Sequence, residues 1–237
     1  MVVINLILYN TSNRKSFFAV TSFYINLLLM PSSAKIFAAI AAVVGWLALL
    51  LQLYLIIENR AASVAETIAR YFGFFTILTN ILVAVSFTTV YLKGIDAPNF
   101  LTKPKTLTAT TVYITIVGLI YNVILRFQWA PQGLAKLVDE LLHTVIPIAC
   151  IVFWLSFVPK QTVQWKNIFP WLLYPLVYIS YTLLRGSFAQ WYPYPFVDVI
   201  TLGYNKVLVN CVFVTLAFIL VAALFVGTAK MMGRRSA

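Results

Sequence analysis

Two residues of this chain, Thr76 and His143, are suited by type to nucleophilic chemistry. His143 is the single histidine among 237 residues and stands in an apolar run. A buried neutral imidazole needs partners for both of its nitrogens. A hydroxyl whose proton passes to a neighbouring imidazole becomes a nucleophile. We therefore consider Thr76 as a nucleophile and His143 as its general base, with arginine or amide side chains as donors to an oxyanion.

Other common kinds of chemistry find no support in the sequence. A single histidine and no clustered cysteines argue against zinc or haem held by histidine pairs. Cys150 and Cys211 both stand in apolar runs and are most simply packing residues. The chain has no phosphate-binding loop, no GxSxG elbow and no GxGxxG turn. We expect no metal and no cofactor.

The composition places these residues in a membrane protein. The chain is 62% hydrophobic and 10% charged, with a mean hydropathy of +0.93. Soluble domains carry roughly 45–50% apolar and about 25% charged residues. The 17 Lys and Arg against 6 Asp and Glu lie between apolar runs, which is typical of topology signals and not of a nucleic-acid surface.

Six apolar runs predict six transmembrane helices, since a helix needs about 20 apolar residues to cross the hydrocarbon core. No run alternates as a barrel strand would. The predicted fold is therefore an all-α polytopic bundle. The predicted spans are Ile36–Ile57, Tyr71–Leu92, Leu107–Leu125, Leu141–Pro159, Ile168–Leu184 and Val207–Ala229.

The basic residues also predict the orientation, because Lys and Arg favour the cytoplasmic side. With the N-terminus inside, 11 of the 17 basic residues lie in the cytoplasm. We expect both termini in the cytoplasm. Residues 1–35 are predicted to be an N-terminal extension, residues 36–229 the membrane domain and residues 230–237 a basic tail. The extension is either a signal-like stretch or sequence upstream of a true start at Met30.

The polar residues of five predicted helices converge on one level, the outer third of the membrane. Polar groups inside a span are costly and commonly belong to a site. We expect Thr76 roughly 9 Å and His143 roughly 3–6 Å below the outer ends of their helices. The candidate substrate-binding residues are Asn80, Asn122, Arg126, Glu140, Tyr181, Arg185 and Asn210. Glu140 or Asp139 is expected to orient the imidazole.

Each of these residues also has a structural explanation. The asparagines could be interhelical hydrogen-bonding residues, and the arginines could reach from span ends to the interface. The aromatic loop Trp191–Phe196 is either an interfacial anchor or a lid. Convergence on one level nevertheless favours a polar pocket above an apolar cavity. Such a pocket suits an amphiphile, such as a membrane lipid, whose polar group lies near the head-group level and whose chains lie deeper.

Several strings in the chain resemble one family. They are Phe75-Thr76-Ile77-Leu78-Thr79-Asn80, Tyr121-Asn122 with Arg126, Glu140-Leu141-Leu142-His143-Thr144-Val145-Ile146-Pro147, Tyr174-Pro175, Tyr181 to Arg185-Gly186, and Trp191-Tyr192-Pro193-Tyr194-Pro195-Phe196. Together they resemble the bacterial branch of the androgen-induced-gene-one-like membrane proteins, which include the androgen-dependent tissue-factor-pathway-inhibitor-regulating protein. The resemblance covers residues from about 36 to 229.

This resemblance implies a six-span membrane hydrolase that cleaves fatty-acid esters with an intramembrane threonine and histidine. The family threonine matches Thr76, or Thr79 if the alignment shifts by three residues, and the family histidine matches His143. We therefore expect an intramembrane hydrolase of lipid esters. The alternative is a membrane protein that binds or transports a lipid or small molecule without chemistry, although the chain lacks the inverted repeats typical of transporters.

Overall fold

The computed structural model describes residues 30–128 and 130–234, so the expectations for residues 1–29 and for the last three residues lie outside the described part. Within that part there are seven helices and no strand. The helices are α1 (Ser32–Glu58), α2 (Val64–Tyr71), α3 (Phe75–Lys93), α4 (Pro104–Leu125), α5 (Gly133–Phe157), α6 (Trp165–Ala189) and α7 (Val199–Arg234). All except α2 are long and apolar enough to cross a membrane, which confirms the predicted six-helix bundle.

Each of the six helices starts three to eight residues away from its predicted span, and three of these differences concern the site. Tyr71 belongs to the separate helix α2, whose first turn is capped by Ser63, and Thr76 is therefore the second residue of its helix. Helix α5 begins at Gly133, ahead of the charged Asp139 and Glu140 that were expected at its mouth. His143 consequently lies about 15 Å into α5. Helix α7 begins at Val199 and bends at Gly203, whose φ of 73° is left-handed.

Helices α3 and α4 form the centre of the bundle, and more than half of the most apolar stretch of each is buried. Helix α1 packs on α3 through a stripe of small side chains: Ala34, Ala38, Ala42, Gly45 and Ala48. A Cβ at Gly45 would lie 3.3 Å from Cβ of Ala84 on α3. Small residues allow this close approach. Lipid tails are as apolar as the side chains, so close packing takes the place of the hydrophobic effect in driving helix association.

Helix α6 is less buried than α3 and α4 and is interrupted at Leu172, shortly before Pro175. Pro175 has no N–H, so the carbonyl of Trp171 lacks its helical partner. Tyr113 of α4 donates its hydroxyl to that carbonyl at 2.7 Å. The bond ties the two helices together at a depth where an unpaired carbonyl would be costly.

A buried lysine, Lys160, caps the C-terminal end of α5. The Lys160 ammonium donates to the carbonyl oxygens of Trp154, at 2.5 Å, and Val158, and lies 4.3 Å from the centre of the Trp154 ring. Burial lowers the pKa of Lys160 to about 8. A cation at a helix C-terminus satisfies carbonyls that have no helical partner.

Candidate functional site

A cavity of about 240 Å³ lies between α3, α4, α5, α6 and α7, beneath the loop that joins α6 to α7. Its wall is mostly aliphatic and aromatic. The side chains that bring hydroxyl, imidazole or thiol groups to the wall are Thr76, Tyr121, His143, Tyr178, Tyr194, Cys211 and Thr215. The two residues predicted to perform chemistry, Thr76 and His143, thus line the same cavity.

The His143 imidazole is held from one side by Asp139, one helical turn earlier. Its Nδ1 lies 3.1 Å from the Asp139 carboxylate and 2.9 Å from the Asp139 carbonyl oxygen. Both side chains are only 13% exposed. An acceptor at Nδ1 places the proton of the neutral ring there and leaves the lone pair on Nε2. The arrangement is that of a general base oriented by a carboxylate.

Tyr121 completes the surroundings of this pair. Its hydroxyl donates to the second oxygen of the Asp139 carboxylate, and its ring stacks on the imidazole with centres 4.1 Å apart. The guanidinium of Arg126 lies 5.2 Å from the centre of the Tyr121 ring. The carboxylate thus has partners on both oxygens, which offsets the cost of burying it.

His143 stands in a π-helical turn, Leu141–Val145, and Tyr121 begins a second one, Tyr121–Leu125, on the facing helix. Turns of this kind are frequent at functional sites. Gly118 allows the approach of the two helices, since a Cβ there would lie 3.1 Å from the His143 carbonyl oxygen. The widened turns and this glycine set the position of the imidazole.

Asn80 and Asn122 stabilise the turn that carries His143. The Ile146 N–H bonds to the Leu141 carbonyl, and Pro147 has no N–H to offer, so the carbonyls of Leu142 and His143 lack their usual partners. Asn80 Nδ2 donates to the Leu142 oxygen at 3.3 Å, and Asn122 Nδ2 donates to the His143 oxygen at 3.2 Å. The two amides therefore position the turn that carries the imidazole, and neither lines the cavity.

Arg126 and Glu140 form an ion pair beside the same turn. Arg126 Nη2 donates to Glu140 Oε2 at 2.6 Å and to the Thr144 hydroxyl at 3.1 Å, while its Nε donates to Asn122 Oδ1 at 2.9 Å. Both charged side chains are about a third exposed. These contacts engage Nη2 and Nε of Arg126, which does not line the cavity, although the sequence suggested a role in binding substrate.

Thr76 lies at the start of α3, 8% exposed, with its side chain and backbone close to Tyr194. The Thr76 N–H donates to the Tyr194 hydroxyl at 3.1 Å, and the two hydroxyl oxygens are 3.3 Å apart. Thr79, the alternative nucleophile, is fully buried beside the hydroxyl of Tyr174 at 3.3 Å and does not line the cavity. Thr76 therefore lies on the cavity wall, whereas Thr79 does not.

The remaining predicted residues lie away from the cavity wall. Tyr181 is 47% exposed on α6. Arg185 and Arg70 share the carboxylate of Glu66, at 3.2 and 2.8 Å, and the hydrogen bond from Arg70 holds the pKa of Glu66 below its usual value. Asn210 donates to the carbonyl oxygen of Phe196 at 2.8 Å and so supports the loop above the cavity.

That loop, Trp191–Phe196, is packed against the bundle along its length. Trp191 lies beneath the guanidiniums of Arg70 and Arg185, 5.2 and 5.4 Å from its ring centre. Tyr192 fills the space above Gly186, where a Cβ would lie 2.0 Å from the tyrosine ring. Of the two interpretations of this loop, a cover over the cavity agrees with these contacts, since Tyr194 and Phe196 line it.

Sequence reasoning missed three tyrosines of the site, Tyr121, Tyr178 and Tyr194, as candidate chemical groups. Tyr178 donates to the Gly73 carbonyl oxygen at 2.9 Å. With 13 tyrosines in the chain, residue type alone gave no signal. The proximity of Tyr121 to Asn122 and Arg126 on one predicted helix end was the best available indication.

Among residues 30–128 and 130–234, no group of three His, Cys, Asp or Glu side chains could hold a metal ion. Comparisons of the chain with protein-family models, with curated proteins and with solved structures found no significant match.

Proposed function

We propose that this chain is an intramembrane hydrolase of lipid esters in which Thr76 is the nucleophile and His143 the general base. One observation carries the proposal: Thr76 and a histidine oriented by Asp139 line the same apolar cavity. The family resemblance of the quoted motifs supports it from the sequence. From the resemblance of these motifs we also propose that the chain belongs to the androgen-induced-gene-one-like family.

In the proposed reaction, the Thr76 oxygen attacks the ester carbonyl carbon while its proton passes to His143 Nε2. The electron pair of the carbonyl double bond moves to the carbonyl oxygen. Collapse of this intermediate breaks the bond to the alcohol, which leaves with the proton from His143. A water molecule then repeats the sequence on the acyl-threonine and releases the fatty acid. Asp139 stabilises the imidazolium that forms in both halves.

The cavity wall supports a lipid as the substrate class. Aliphatic and aromatic side chains surround most of the cavity, among them Phe75, Ile116 and Phe218. An acyl chain that enters from the bilayer meets a wall as apolar as the lipid it leaves, so its binding desolvates few polar groups. The same wall would also hold a lipid that is bound and not cleaved, which is the second candidate function.

A hydroxyl-directed alkyl fluorophosphonate probe distinguishes these two functions. We expect it to label the folded protein in detergent at Thr76, as located by peptide mass spectrometry. Thr76→Ala is expected to abolish labelling, and Thr79→Ala to retain it, because the Thr79 hydroxyl does not line the cavity. Absence of labelling in folded wild-type protein, together with tight binding of a fatty acid, would favour the binding protein.

We also propose that both termini lie in the cytoplasm, which places the cavity near the outer face of a bacterial cytoplasmic membrane. The basic residues support this orientation, with 11 of 17 inside. A β-lactamase domain fused after Ala237 is expected to give no protection against ampicillin, whereas the same domain inserted in the loop after Gln128 is expected to protect. The reverse pattern would contradict the orientation.

A further inference from the structure

The proposed hydrolase needs a donor for the oxyanion, and the residues suggested by sequence are occupied elsewhere. Asn80 and Asn122 donate to the backbone of the His143 turn, and Arg126 donates to Asn122, Glu140 and Thr144. None of the three lines the cavity. The donor must therefore come from another group on the wall.

Among the hydroxyls on the wall besides Thr76, three already donate to a named acceptor. Tyr121 donates to Asp139, Tyr178 to the Gly73 carbonyl and Thr215 to the Cys211 carbonyl. The fourth is Tyr194, whose oxygen accepts the N–H of Thr76 at 3.1 Å and lies 3.3 Å from the Thr76 hydroxyl. Since the Tyr194 oxygen accepts from the backbone, its own proton is directed elsewhere, and the Thr76 and Tyr178 oxygens, both on the cavity wall, are its side-chain partners.

The position of Tyr194 is fixed by its neighbours. The residue is 9% exposed, its ring stacks on Phe196 with centres 5.3 Å apart, and Phe74 meets it edge-on at 5.7 Å. Its hydroxyl meets the first turn of α3, where backbone N–H groups carry the positive end of the helix dipole. An N–H that donates to a hydroxyl oxygen polarises that hydroxyl and strengthens it as a donor.

From these contacts we infer that Tyr194 is a catalytic residue of the proposed hydrolase, which donates its hydroxyl proton in a hydrogen bond to the carbonyl oxygen of the ester as that oxygen becomes negative. In the resting enzyme the same proton is shared with the Thr76 oxygen. No proton is transferred by Tyr194 in the cycle, because His143 takes the proton of Thr76 and returns it to the leaving alcohol. This inference rests on the proposed function.

Tyr194→Phe tests the inference, because it removes the hydroxyl and keeps the ring. Removal of one oxyanion donor costs roughly 10²–10³-fold in kcat. We expect that loss for a long-chain ester with a KM within about threefold of wild type, and an equal weakening of inhibition by a long-chain trifluoromethyl ketone, which forms an oxyanion on Thr76. Binding of the corresponding long-chain amide, which forms no oxyanion, is expected to change by less than about threefold.

Two controls separate this role from a structural one. Tyr174→Phe removes the hydroxyl of another, half-buried tyrosine, which contacts Thr79 and does not line the cavity, and is expected to retain turnover. Replacement of Tyr194 by 3-fluorotyrosine keeps the hydroxyl and is expected to keep the turnover that Tyr194→Phe loses. This variant keeps the test decisive if Tyr194→Phe lowers the yield of folded protein.

The outcomes distinguish the two hypotheses. If wild type hydrolyses esters and Tyr194→Phe does so at a similar rate, the role of Tyr194 is overturned and the hydrolase stands. Equal weakening of the ketone and the amide also overturns it, since the loss would then concern binding in general. If the wild-type protein neither hydrolyses the ester nor binds the ketone, the proposed function fails, and the role of Tyr194 with it.

Discussion

Thr76→Ala and His143→Ala are each expected to lower ester hydrolysis by roughly 10³-fold or more, and the double variant is expected to lose little beyond either single change. A nucleophile and its base act as one unit, so that removal of the second costs little once the first is absent. The measurement is the initial rate with a long-chain p-nitrophenyl ester in mixed micelles. Thermal unfolding in the same detergent reports whether the variants are folded.

Thr79→Ala is the matched control for this prediction. Thr79 lies one turn from Thr76 on the same helix, is more deeply buried, and bonds to Tyr174. The Thr79→Ala variant is expected to keep at least about a third of the wild-type rate. Loss of turnover in Thr79→Ala with retention in Thr76→Ala would move the nucleophile to Thr79. Wild-type turnover in all four variants (Thr76→Ala, His143→Ala, the double variant and Thr79→Ala) would contradict an esterase at this cavity.

The fold was predictable because six apolar runs leave few alternatives in a membrane. Charged residues misled the prediction of helix ends, since Asp139 and Glu140 were taken to mark the mouth of a helix that begins at Gly133. Partners supplied by other residues make their burial tolerable: Tyr121 and His143 for Asp139, and Arg126 for Glu140. A single sequence does not reveal such partners in advance.

The candidate site was predictable in part, because polar residues inside spans are rare and therefore noticeable. That signal found Thr76 and His143, and it also found Asn80 and Asn122, which stabilise the turn of His143. This signal could not separate candidate chemical residues from residues that stabilise a turn, because both kinds place a polar side chain at the same depth. Pro147 was the sequence clue to a carbonyl without its usual partner, and the asparagines that satisfy such carbonyls come from other helices.

Asp139→Asn is expected to lower turnover by roughly 10²–10⁴-fold while His143 stays in place. The carboxylate accepts the Nδ1 proton of His143 and stabilises the charged imidazole, and an amide can do neither as well. An amide that donates to Nδ1 also fixes the opposite tautomer, in which Nε2 already carries a proton and cannot accept another. Loss of a comparable carboxylate beside a catalytic histidine costs roughly 10⁴-fold. Steady-state kinetics with the same ester measure the effect.

Glu140→Gln is the neighbouring control, since it also replaces a carboxylate by an amide in the adjacent position. Glu140 pairs with Arg126 and does not contact the imidazole, so we expect a loss of less than about tenfold. Tyr121→Phe removes the hydroxyl from the other carboxylate oxygen of Asp139 and keeps the stacked ring, and its expected loss lies between the other two. A larger loss in Glu140→Gln than in Asp139→Asn would assign the orienting role to Glu140. Turnover in Asp139→Asn equal to wild type would mean that the backbone carbonyl of Asp139, 2.9 Å from Nδ1, is sufficient to hold the base in its tautomer.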